Sequence, residues 1–383
     1  MLRVLLKRFP PFLLAYFAVT AVIHLPFVLI VKELAAHLGS AAPWQWGVAS
    51  GLVGTVLFLF ASRTWLSDYS TDRAAALLFD LPYWIHWCAC LMACIPDALI
   101  TAGVVVGGLV RKTPVALPVP LFALVYAVAL GIALYGTLLR RRRFVVREVP
   151  VALKNLPASF DGYRIAHLSD LHIGSMTPGH WARRWMETTN RLAPDLTVVT
   201  GDLVSSGNAF HDEIADVVTA LSAADGVYIS MGNHDYFGDA ERLVERLRAR
   251  GGRVLRNEGV SISRQGGRLY LAAVDDTWTR RDDLPRALAA RPGEDLTVLL
   301  AHDPACFPQA AQRGVSLTLS GHTHGGQIRV PWLPPPAKRL HLGLYRQGGS
   351  TLFVHPGLGT TGPPMRLGVP PTIVVYRLRS TAA

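Results

Sequence analysis

Residues 163–172 read YRIAHLSDLH, and this stretch decides the fold of the second part of the chain. A short β-rich run, residues 163–168, is followed at once by Asp170 and His172. The pattern recurs downstream, where one such run leads into Asp202 and the next into Asn233, His234 and Asp235. Strands that deliver polar residues at their carboxyl ends predict an α/β sheet with a ligand site beyond those ends.

From residue 144 onward, β-rich runs alternate with polar helical segments. The predicted strands are residues 163–168, 196–200, 226–230, 269–274, 297–301, 316–319, 351–354 and 372–376. The predicted helices are residues 180–192, 211–221, 240–250 and 283–290. Early strand–helix alternation followed mostly by strands predicts an α/β domain with mixed sheets over residues 144–383, which is long enough to bury its own core.

The first part of the chain has a different amino-acid composition. The whole sequence is 50% apolar and only 17% charged, against about 25% charged for ordinary soluble domains. Most of that apolar excess lies in four runs, residues 12–31, 44–62, 74–110 and 119–139. Because about 20 apolar residues cross a bilayer, we expect an α-helical transmembrane domain of about four spans over residues 1–143.

Two of these runs leave alternatives open. The first run has basic residues in front of it and could be a cleaved signal peptide, but its length, the absence of a small-residue cleavage site and the further spans favour a retained helix. The third run is too long for one level span and too short for two. It is expected to be a tilted or kinked helix, or an interfacial segment followed by a span.

The basic residues predict the orientation in the membrane. With four spans, nine of the 12 Lys and Arg residues of this part lie on the side of the N-terminus and of Arg140, Arg141, Arg142 and Arg143. Because basic loops stay inside, we expect a multi-pass protein of the cell (inner) membrane with the C-terminal domain in the cytoplasm. The four arginines then face anionic lipid headgroups, and no nucleic-acid partner is expected.

Cys88, Cys90 and Cys94 lie within the third apolar run, and their spacing favours packing over metal binding.

Five predicted strands end in residues that bind metals. The side chains are Asp170, His172, Asp202, Asn233, His234, Asp235, His302, His322 and His324. Imidazole, carboxylate and amide groups suit Mn, Fe or Zn, and the set is too large for one ion. Two ions about 3.5–4 Å apart can hold a phosphate and activate an attacking hydroxide. Asp202 is the natural carboxylate to bridge them.

In this order the motifs resemble those of the calcineurin-like metallophosphoesterase superfamily, over residues 163–377. The resemblance implies two mixed β-sheets packed face to face and flanked by helices. It also implies two divalent ions, with Mn preferred and Fe, Zn or Mg as alternatives. One ion would be held by Asp170, His172, Asp202 and His324, and the other by Asp202, Asn233, His302 and His322. His234 would contact the phosphate and protonate the leaving oxygen, while Asp235 would orient the His234 ring.

A narrower resemblance rests on GHTHGGQ at residues 321–327 and GLGTTGPPMRLGVPP at residues 357–371. Both look like the membrane-associated bacterial phosphodiesterase branch, some members of which hydrolyse UDP-2,3-diacylglucosamine. The chain departs from that branch at Ser205, where an Asp is usual, and at His355-Pro356, where an Arg is frequent.

The expected function is therefore hydrolysis of a phosphodiester or pyrophosphate, with a lipid-linked substrate first and membrane lipids as partners. The alternatives are a soluble nucleotide or cyclic-nucleotide phosphodiesterase and a non-catalytic membrane sensor or scaffold.

Several other residues carry open interpretations. Arg366 could grip phosphate with two hydrogen bonds or could be a solvated loop charge. His355 could contact the substrate, whereas His167 is expected to pack inside the fold. The Pro-rich residues 331–336 could form a rigid loop or touch lipid.

Overall fold

The computed structural model describes residues 10–37, 54, 72–113, 115–293, 295–329 and 340–381. The chain divides into two compact units, residues 1–139 and 140–383. This division lies a few residues before the boundary expected after Arg143. The Pro-rich residues 331–336 lie outside the described ranges.

Most of the described residues of the first unit are helical. Its long helices are α1 (Pro10–His37), α2 (Arg73–Arg111) and α3 (Val119–Leu134). Asp72 caps the start of α2 by accepting hydrogen bonds from the backbone N–H groups of Ala74 and Ala75. The helix then includes a π-helical turn at Ala76–Asp80 and continues through Pro96.

Three helices among the described residues are long and apolar enough to cross a membrane. They coincide with the first, third and fourth apolar runs of the sequence. The second run, residues 44–62, falls almost wholly outside the described residues, so the count of four spans stays a prediction. The third run is a single helix of 39 residues.

The described residues of the second unit form two six-stranded sheets. The strands are β1 (Val145–Leu153), β2 (Arg164–Leu168), β3 (Leu196–Thr200), β4 (Val227–Ser230), β5 (Arg253–Val254), β6 (Glu258–Arg264), β7 (Gly267–Ala273), β8 (Leu296–Leu300), β9 (Leu317–Ser320), β10 (Gly343–Gln347), β11 (Ser350–Val354) and β12 (Thr372–Ser380). Its helices are α4 (Gly179–Arg191), α5 (His211–Val218), α6 (Ala240–Ala249), α7 (Leu284–Leu288) and α8 (Phe307–Gln312).

Both sheets are mixed, as the sequence predicts. The first has the order β1-β12-β2-β3-β4-β5, in which β2, β3, β4 and β5 are parallel and β12 is antiparallel to β2. The second has the order β10-β11-β9-β8-β7-β6, in which β11, β9, β8 and β7 are parallel. Parallel neighbours end at the same sheet edge, so the loops that follow β2, β3 and β4 emerge together, as do those after β8 and β9.

The core of this unit lies between the two sheets. Ile165, Val198 and Tyr376 of the first sheet belong to the same buried cluster as Leu271 and Val298 of the second. Their burial contributes about 1.5–3 kcal/mol for each large apolar side chain. Because residues alternate along a strand, the opposite faces are also apolar and are covered by helices. Trp185, Ile214 and Leu243 from α4, α5 and α6 cover the first sheet, and Leu284 and Ala310 from α7 and α8 cover the second.

The expectation that all four arginines at residues 140–143 face lipid headgroups is wrong in part. Arg141 is only 4% exposed, and it donates a hydrogen bond to the carbonyl of Met176 at 3.1 Å. Its guanidinium lies 5.0 Å from the ring of Trp181 in α4. Arg141 therefore faces protein, because the start of this unit folds onto α4, while Arg142 and Arg143 remain exposed.

Candidate metal centre

The predicted ligands all lie at the carboxyl ends of strands. Asp170 and His172 follow β2, Asp202 follows β3, Asn233 lies in a 3₁₀ turn after β4, His302 follows β8, and His322 and His324 follow β9. The topology brings all seven side chains into one region, where the carboxyl ends of the parallel strands of the two sheets meet.

The backbone at this region is strained. Five of the seven residues have left-handed backbone, with φ between 45° and 71°: Asp170, His172, Asp202, His322 and His324. Such values are uncommon for residues other than glycine and cost free energy. Their concentration at the ends of three strands, β2, β3 and β9, indicates that the fold sacrifices local stability to direct these side chains inward.

Asp170, His172 and His324 form the first group. The Nε2 atoms of His172 and His324 lie 3.0 Å apart, and Nε2 of His324 lies 3.4 Å from Oδ1 of Asp170. Oδ2 of Asp170 and Nδ1 of His172 are buried without a hydrogen-bond partner among the described residues. Two converging imidazoles beside a carboxylate with an unused oxygen fit a divalent cation.

Asp202, Asn233, His302 and His322 form the second group. Nε2 of His302 lies 3.2 Å from Oδ2 of Asp202, and Nδ1 of His322 lies 2.9 Å from Oδ1 of Asn233. The other ring nitrogen of His302 donates to the carbonyl of Thr200 at 2.7 Å. This bond fixes the ring and leaves Nε2 directed at the centre, as is usual for metal-binding histidines.

Asp202 lies between the two groups. Its Oδ2 is 3.6 Å from Nε2 of His172 in the first group and 3.2 Å from Nε2 of His302 in the second. Its Oδ1 accepts from the backbone N–H of His234 at 2.9 Å. Asp202 thus lies within reach of both groups, and its role as the bridging carboxylate stays a prediction.

Burial and neighbouring charges together set the protonation of this centre. Burial lowers the pKa of His172 to about 3 and that of His324 well below its usual range, so both rings are neutral and keep a lone pair. Burial also raises the pKa of Asp170 to about 6. It opposes the charge on Asp202 as well, but His302 and His234 hold the pKa of Asp202 well below its usual range. At His302 the effect of burial is outweighed, because the Asp202 carboxylate raises the pKa of this ring to about 10. Metal binding therefore uses the neutral rings of His172 and His324 and requires His302 to release its proton.

His234 stands apart from this buried set because it is partly exposed. Its Nδ1 donates to the carbonyl of Ser205 at 2.7 Å, and its Nε2 lies 3.4 Å from Oγ1 of Thr361. The carbonyl can only accept, so Nδ1 carries a proton and Nε2 is the atom that can exchange one with a substrate.

The contact expected between Asp235 and the His234 ring is absent. Oδ1 of Asp235 accepts from the backbone N–H groups of Leu203 (2.8 Å) and Val204 (3.2 Å), and Oδ2 accepts from that of Gly232 (2.9 Å). The expectation fails because the 3₁₀ turn directs the two neighbouring side chains apart. Asp235 instead ties the loop after β3 to the loop after β4.

Ser205 takes part in the same arrangement, although it departs from the residue usual in the related branch. Its carbonyl holds His234, and its hydroxyl donates to the carbonyl of His172 at 2.9 Å. Because the contact to His234 comes from the backbone, the side-chain change leaves it in place.

Both interpretations of Arg366 from the sequence are wrong. The side chain is 0% exposed, so it neither lies in solvent nor is accessible to a phosphate group of a substrate. Its guanidinium donates to the carbonyls of Pro356 (2.6 Å) and Gly359 (2.5 Å), and its Nη2 lies 3.1 Å from Nδ1 of His324. Arg366 thereby joins the loop after β11 to a predicted metal ligand.

His355 also lies away from the substrate side. It is fully buried, its Nδ1 accepts from the N–H of Gly357 at 2.9 Å, and its ring is 4.6 Å from that of His167. The substrate contact considered for His355 is therefore wrong. His167 packs inside the fold as expected, between the hydroxyls of Tyr376 and Thr200.

Two features escaped sequence reasoning. The Gln327 side chain donates to the carbonyls of Thr361 and Pro363 and accepts from the N–H of Thr361, so it holds the loop that carries Thr361 toward His234. An aromatic pair flanks the same histidine: the Phe237 ring is 4.6 Å from His234, and Trp278 is 5.8 Å from Phe237. The only signal for Gln327 was its place at the end of GHTHGGQ, whereas Trp278 had none.

Comparison with known proteins agrees with this geometry. The family model described as calcineurin-like phosphoesterase matches residues 163–326. YkuE, an uncharacterized metallophosphoesterase of Bacillus subtilis, is 30% identical over 256 residues, which cover 64% of this chain and 90% of YkuE. An uncharacterized metallophosphoesterase of Aquifex aeolicus is 30% identical over 246 residues, covering 61% of this chain and 91% of that protein.

A similar protein of Danio rerio carries the name transmembrane protein with metallophosphoesterase domain. It is 33% identical over 254 residues, which cover 62% of this chain and 57% of the fish protein. The chain thus matches somewhat more than half of that relative's length. Taken with the centre described above, these matches show that the chain belongs to the calcineurin-like phosphoesterase family and is a metal-dependent phosphoester hydrolase.

Proposed function

We propose that this chain is a membrane-tethered phosphodiesterase that hydrolyses a phosphodiester or pyrophosphate with two divalent ions, Mn²⁺ being the preferred metal. The observation that carries the proposal is the pair of ligand groups that share Asp202 beside the partly exposed His234. No predicted ligand is missing from the set. A non-catalytic sensor or scaffold, the alternative from another class, has no such feature in its favour.

The residues divide into two roles. Asp170, His172, Asp202 and His324 would hold one ion, and Asp202, Asn233, His302 and His322 would hold the other. When bound, two such ions supply positive charge to a phosphate and make water a nucleophile near neutral pH. His234 would protonate the leaving oxygen through Nε2, because the Ser205 carbonyl holds Nδ1. Asp235 would support this step by fixing the two loops that present Asp202 and His234.

The surroundings of His234 support a nucleotide-containing substrate. Phe237 and the partly exposed Trp278 give the site an aromatic side on which a nucleobase can stack. A lipid-linked nucleotide pyrophosphate of the UDP-2,3-diacylglucosamine kind is our first choice, supported by the branch motifs and by the apolar helices. A soluble nucleotide or cyclic nucleotide is the second choice, and the same aromatic pair supports it.

We place the protein in the cell (inner) membrane with its catalytic unit in the cytoplasm. The support is the excess of Lys and Arg on one side of the expected spans. A reporter fused to the C-terminus should be active in the cytoplasm. A reporter that is active only outside the cell would contradict this orientation without affecting the assignment of the activity.

The activity is tested with the full chain purified in detergent, stripped of metal and reloaded with Mn²⁺, Mg²⁺, Fe²⁺ or Zn²⁺. Hydrolysis of bis(p-nitrophenyl) phosphate should require a metal and should fall by about 100-fold or more in Asp202→Asn and His234→Gln. His180→Gln, which changes an exposed histidine of α4, is the matched control. A panel of phosphodiesters and pyrophosphates, with product masses, then identifies the bond that is cut. Unchanged hydrolysis in both active-site variants would refute the proposal.

A further inference from the structure

Two histidines and a cysteine meet inside the helical unit, far along the sequence from the phosphoesterase motifs. One nitrogen of His24 in α1, one nitrogen of His86 in α2 and the sulfur of Cys90 in α2 lie within 4.8 Å of one another. His24 and Cys90 are 1% and 2% exposed. Both helices are long and apolar enough to cross a membrane. Polar side chains are costly at such positions, so their convergence indicates a function.

The proton on His24 can be placed from its neighbour. Nδ1 lies 2.6 Å from the backbone carbonyl of Thr20. Because a carbonyl only accepts, Nδ1 carries the proton and Nε2 carries the lone pair. That Nε2 atom is buried and has no hydrogen-bond partner among the described residues. A buried acceptor left unsatisfied costs about 1–3 kcal/mol, which a cation bound at Nε2 would relieve.

His86 is held in a comparable way. Its Nδ1 lies 2.8 Å from the hydroxyl of Tyr126 in α3, and both of its ring nitrogens lie 3.8 Å from the sulfur of Cys90. Residues four apart share one face of a helix, so His86 and Cys90 present their ligand atoms together. In metal sites, a neighbour of this kind usually holds the second ring nitrogen of the histidine.

The rings of this cluster are also packed closely. The His24 and His86 rings lie 5.1 Å apart, and Phe27 lies 4.6 Å from His86. Trp87 donates to the hydroxyl of Thr20 at 3.1 Å, which fixes the turn of α1 that carries His24. The histidines are therefore positioned by three helices rather than by one.

We propose that His24, His86 and Cys90 form a site for a soft metal ion, Cu⁺ or Zn²⁺. Two imidazoles and a thiolate select such ions, whereas Mg²⁺ and Ca²⁺ require oxygen ligands. When the sulfur–metal bond forms, the thiol proton is released to solvent. One thiolate neutralises Cu⁺ but leaves Zn²⁺ with a net positive charge, and because a buried net charge is costly, the surroundings favour Cu⁺.

This site changes the interpretation of one cysteine out of three. The spacing of Cys88, Cys90 and Cys94 favours packing, and Cys88 and Cys94 keep that interpretation. Cys90 differs because it lies one helical turn from His86 and beside His24 of another helix. A metal there would fasten α1 to α2, and Tyr126 would extend the connection to α3.

Cobalt is a probe that separates this site from the phosphoesterase centre. The full chain in detergent is stripped of metal and titrated with Co²⁺ under reducing conditions. A thiolate-to-cobalt charge-transfer band in the near ultraviolet should appear, because the site contains Cys90. The phosphoesterase centre cannot produce this band, since none of its ligands is a cysteine.

Cys90→Ser should abolish the band and lower the bound Cu⁺ or Zn²⁺ by one equivalent per chain, and His86→Gln should do the same. Cys88→Ser, which changes a buried cysteine of the same helix, is the matched control and should keep both. Addition of Cu⁺ or Zn²⁺ should displace the cobalt, and the ion that does so at the lower concentration is the preferred one. Absence of the band in the parent, or its persistence in Cys90→Ser, would overturn the proposal.

Discussion

Nη2 of Arg366 lies 3.1 Å from Nδ1 of His324, and the guanidinium is completely buried. The same group donates to the carbonyls of Pro356 and Gly359 in the loop after β11. A buried charge is tolerated only when its donors are satisfied, and here most are satisfied by backbone carbonyls. Arg366 therefore acts as a fixed support behind a predicted ligand of the first metal group, without facing the substrate.

Replacement of Arg366 by Met should weaken the first metal site. The apolar chain fills much of the space but cannot hold the His324 ring or the two carbonyls. We expect a loss of about 10–100-fold in kcat/KM or in metal affinity, as for other residues that position metal ligands. Metal content after dialysis and kcat/KM at saturating Mn²⁺ measure the two effects separately. Arg346→Met, at an exposed position of β10, is the control, and equal behaviour of the two variants would exclude the positioning role.

The strands at the edges of the two sheets could not be predicted from the sequence. The eight strands predicted from β-rich runs are all present, with ends displaced by a few residues. The four missed strands, β1, β5, β6 and β10, are the four edges of the two sheets. Edge strands bury only part of their surface and carry polar or charged residues, as Arg147 and Glu148 do in β1, so the apolar pattern that reveals a central strand is weak there.

The candidate site could likewise be predicted only in part. The ligand residues could be predicted because their types and order carry chemistry, and parallel strands bring their ends together. The contacts that position them could not be predicted. Whether the carboxylate of Asp235 faces the His234 ring or three backbone N–H groups depends on the direction of a 3₁₀ turn, and the burial of Arg366 depends on how a loop folds over it.

Asp235→Asn should reduce stability and activity together. The carboxylate accepts three backbone hydrogen bonds, two on Oδ1 and one on Oδ2. An amide has only one acceptor oxygen, so its NH₂ group would face a backbone N–H. We expect about 1–3 kcal/mol lower stability and a lower kcat, measured by thermal unfolding and by steady-state hydrolysis. Glu245→Gln, the same carboxylate-to-amide change at an exposed position of α6, should change neither. If Asp235→Asn keeps both its activity and its melting temperature, the carboxylate does not hold the loops after β3 and β4 together.

The pH dependence of stability should contain a contribution from His355. Burial lowers the pKa of this ring to about 3 in the folded state, against about 6.5 when it is unfolded. Between these values the unfolded chain binds more protons, so stability falls as pH decreases from about 6.5 toward 3. One such group contributes at most about 1.4 kcal/mol per pH unit.

Calorimetry of the full chain and of His355→Gln, between about pH 4 and pH 7, measures this contribution as a difference in slope. The variant should lose less stability on acidification than the parent. The parallel change His180→Gln, at an exposed position, should leave the slope as it is. Equal slopes for the parent and His355→Gln would show that the buried ring is not the source.

Removal of metal should destabilise the catalytic unit. The carboxylates of Asp170 and Asp202 are both buried in the centre, and a divalent cation would add positive charge beside them. Binding to the folded state alone stabilises it by about 2.7 kcal/mol when the free ion is at 100 times its dissociation constant. A chelator should therefore lower the melting temperature, and Mn²⁺ should restore it. In Asp202→Asn both effects should shrink, and an undiminished response would place the stabilising ion elsewhere.

Gly359 tests how tightly the loops of the site are packed. Its N–H donates to the carbonyl of Asp170 at 2.7 Å, and a Cβ added there would overlap the carbonyl group of Leu171, which stands between two predicted ligands. Gly359→Ala must therefore push the segment from Asp170 to His172 out of place. Overpacking of this kind costs about 1–3 kcal/mol, and a shift of the ligands should lower kcat/KM further. Gly349→Ala, where an added Cβ meets nothing within 4 Å, should be neutral in both melting temperature and kcat/KM. That control adds the same methyl group to a loop of the same unit. If Gly359→Ala keeps full activity, the segment after β2 can move without harm to catalysis. The strained backbone of Asp170 and His172 would then not be needed to place the metals.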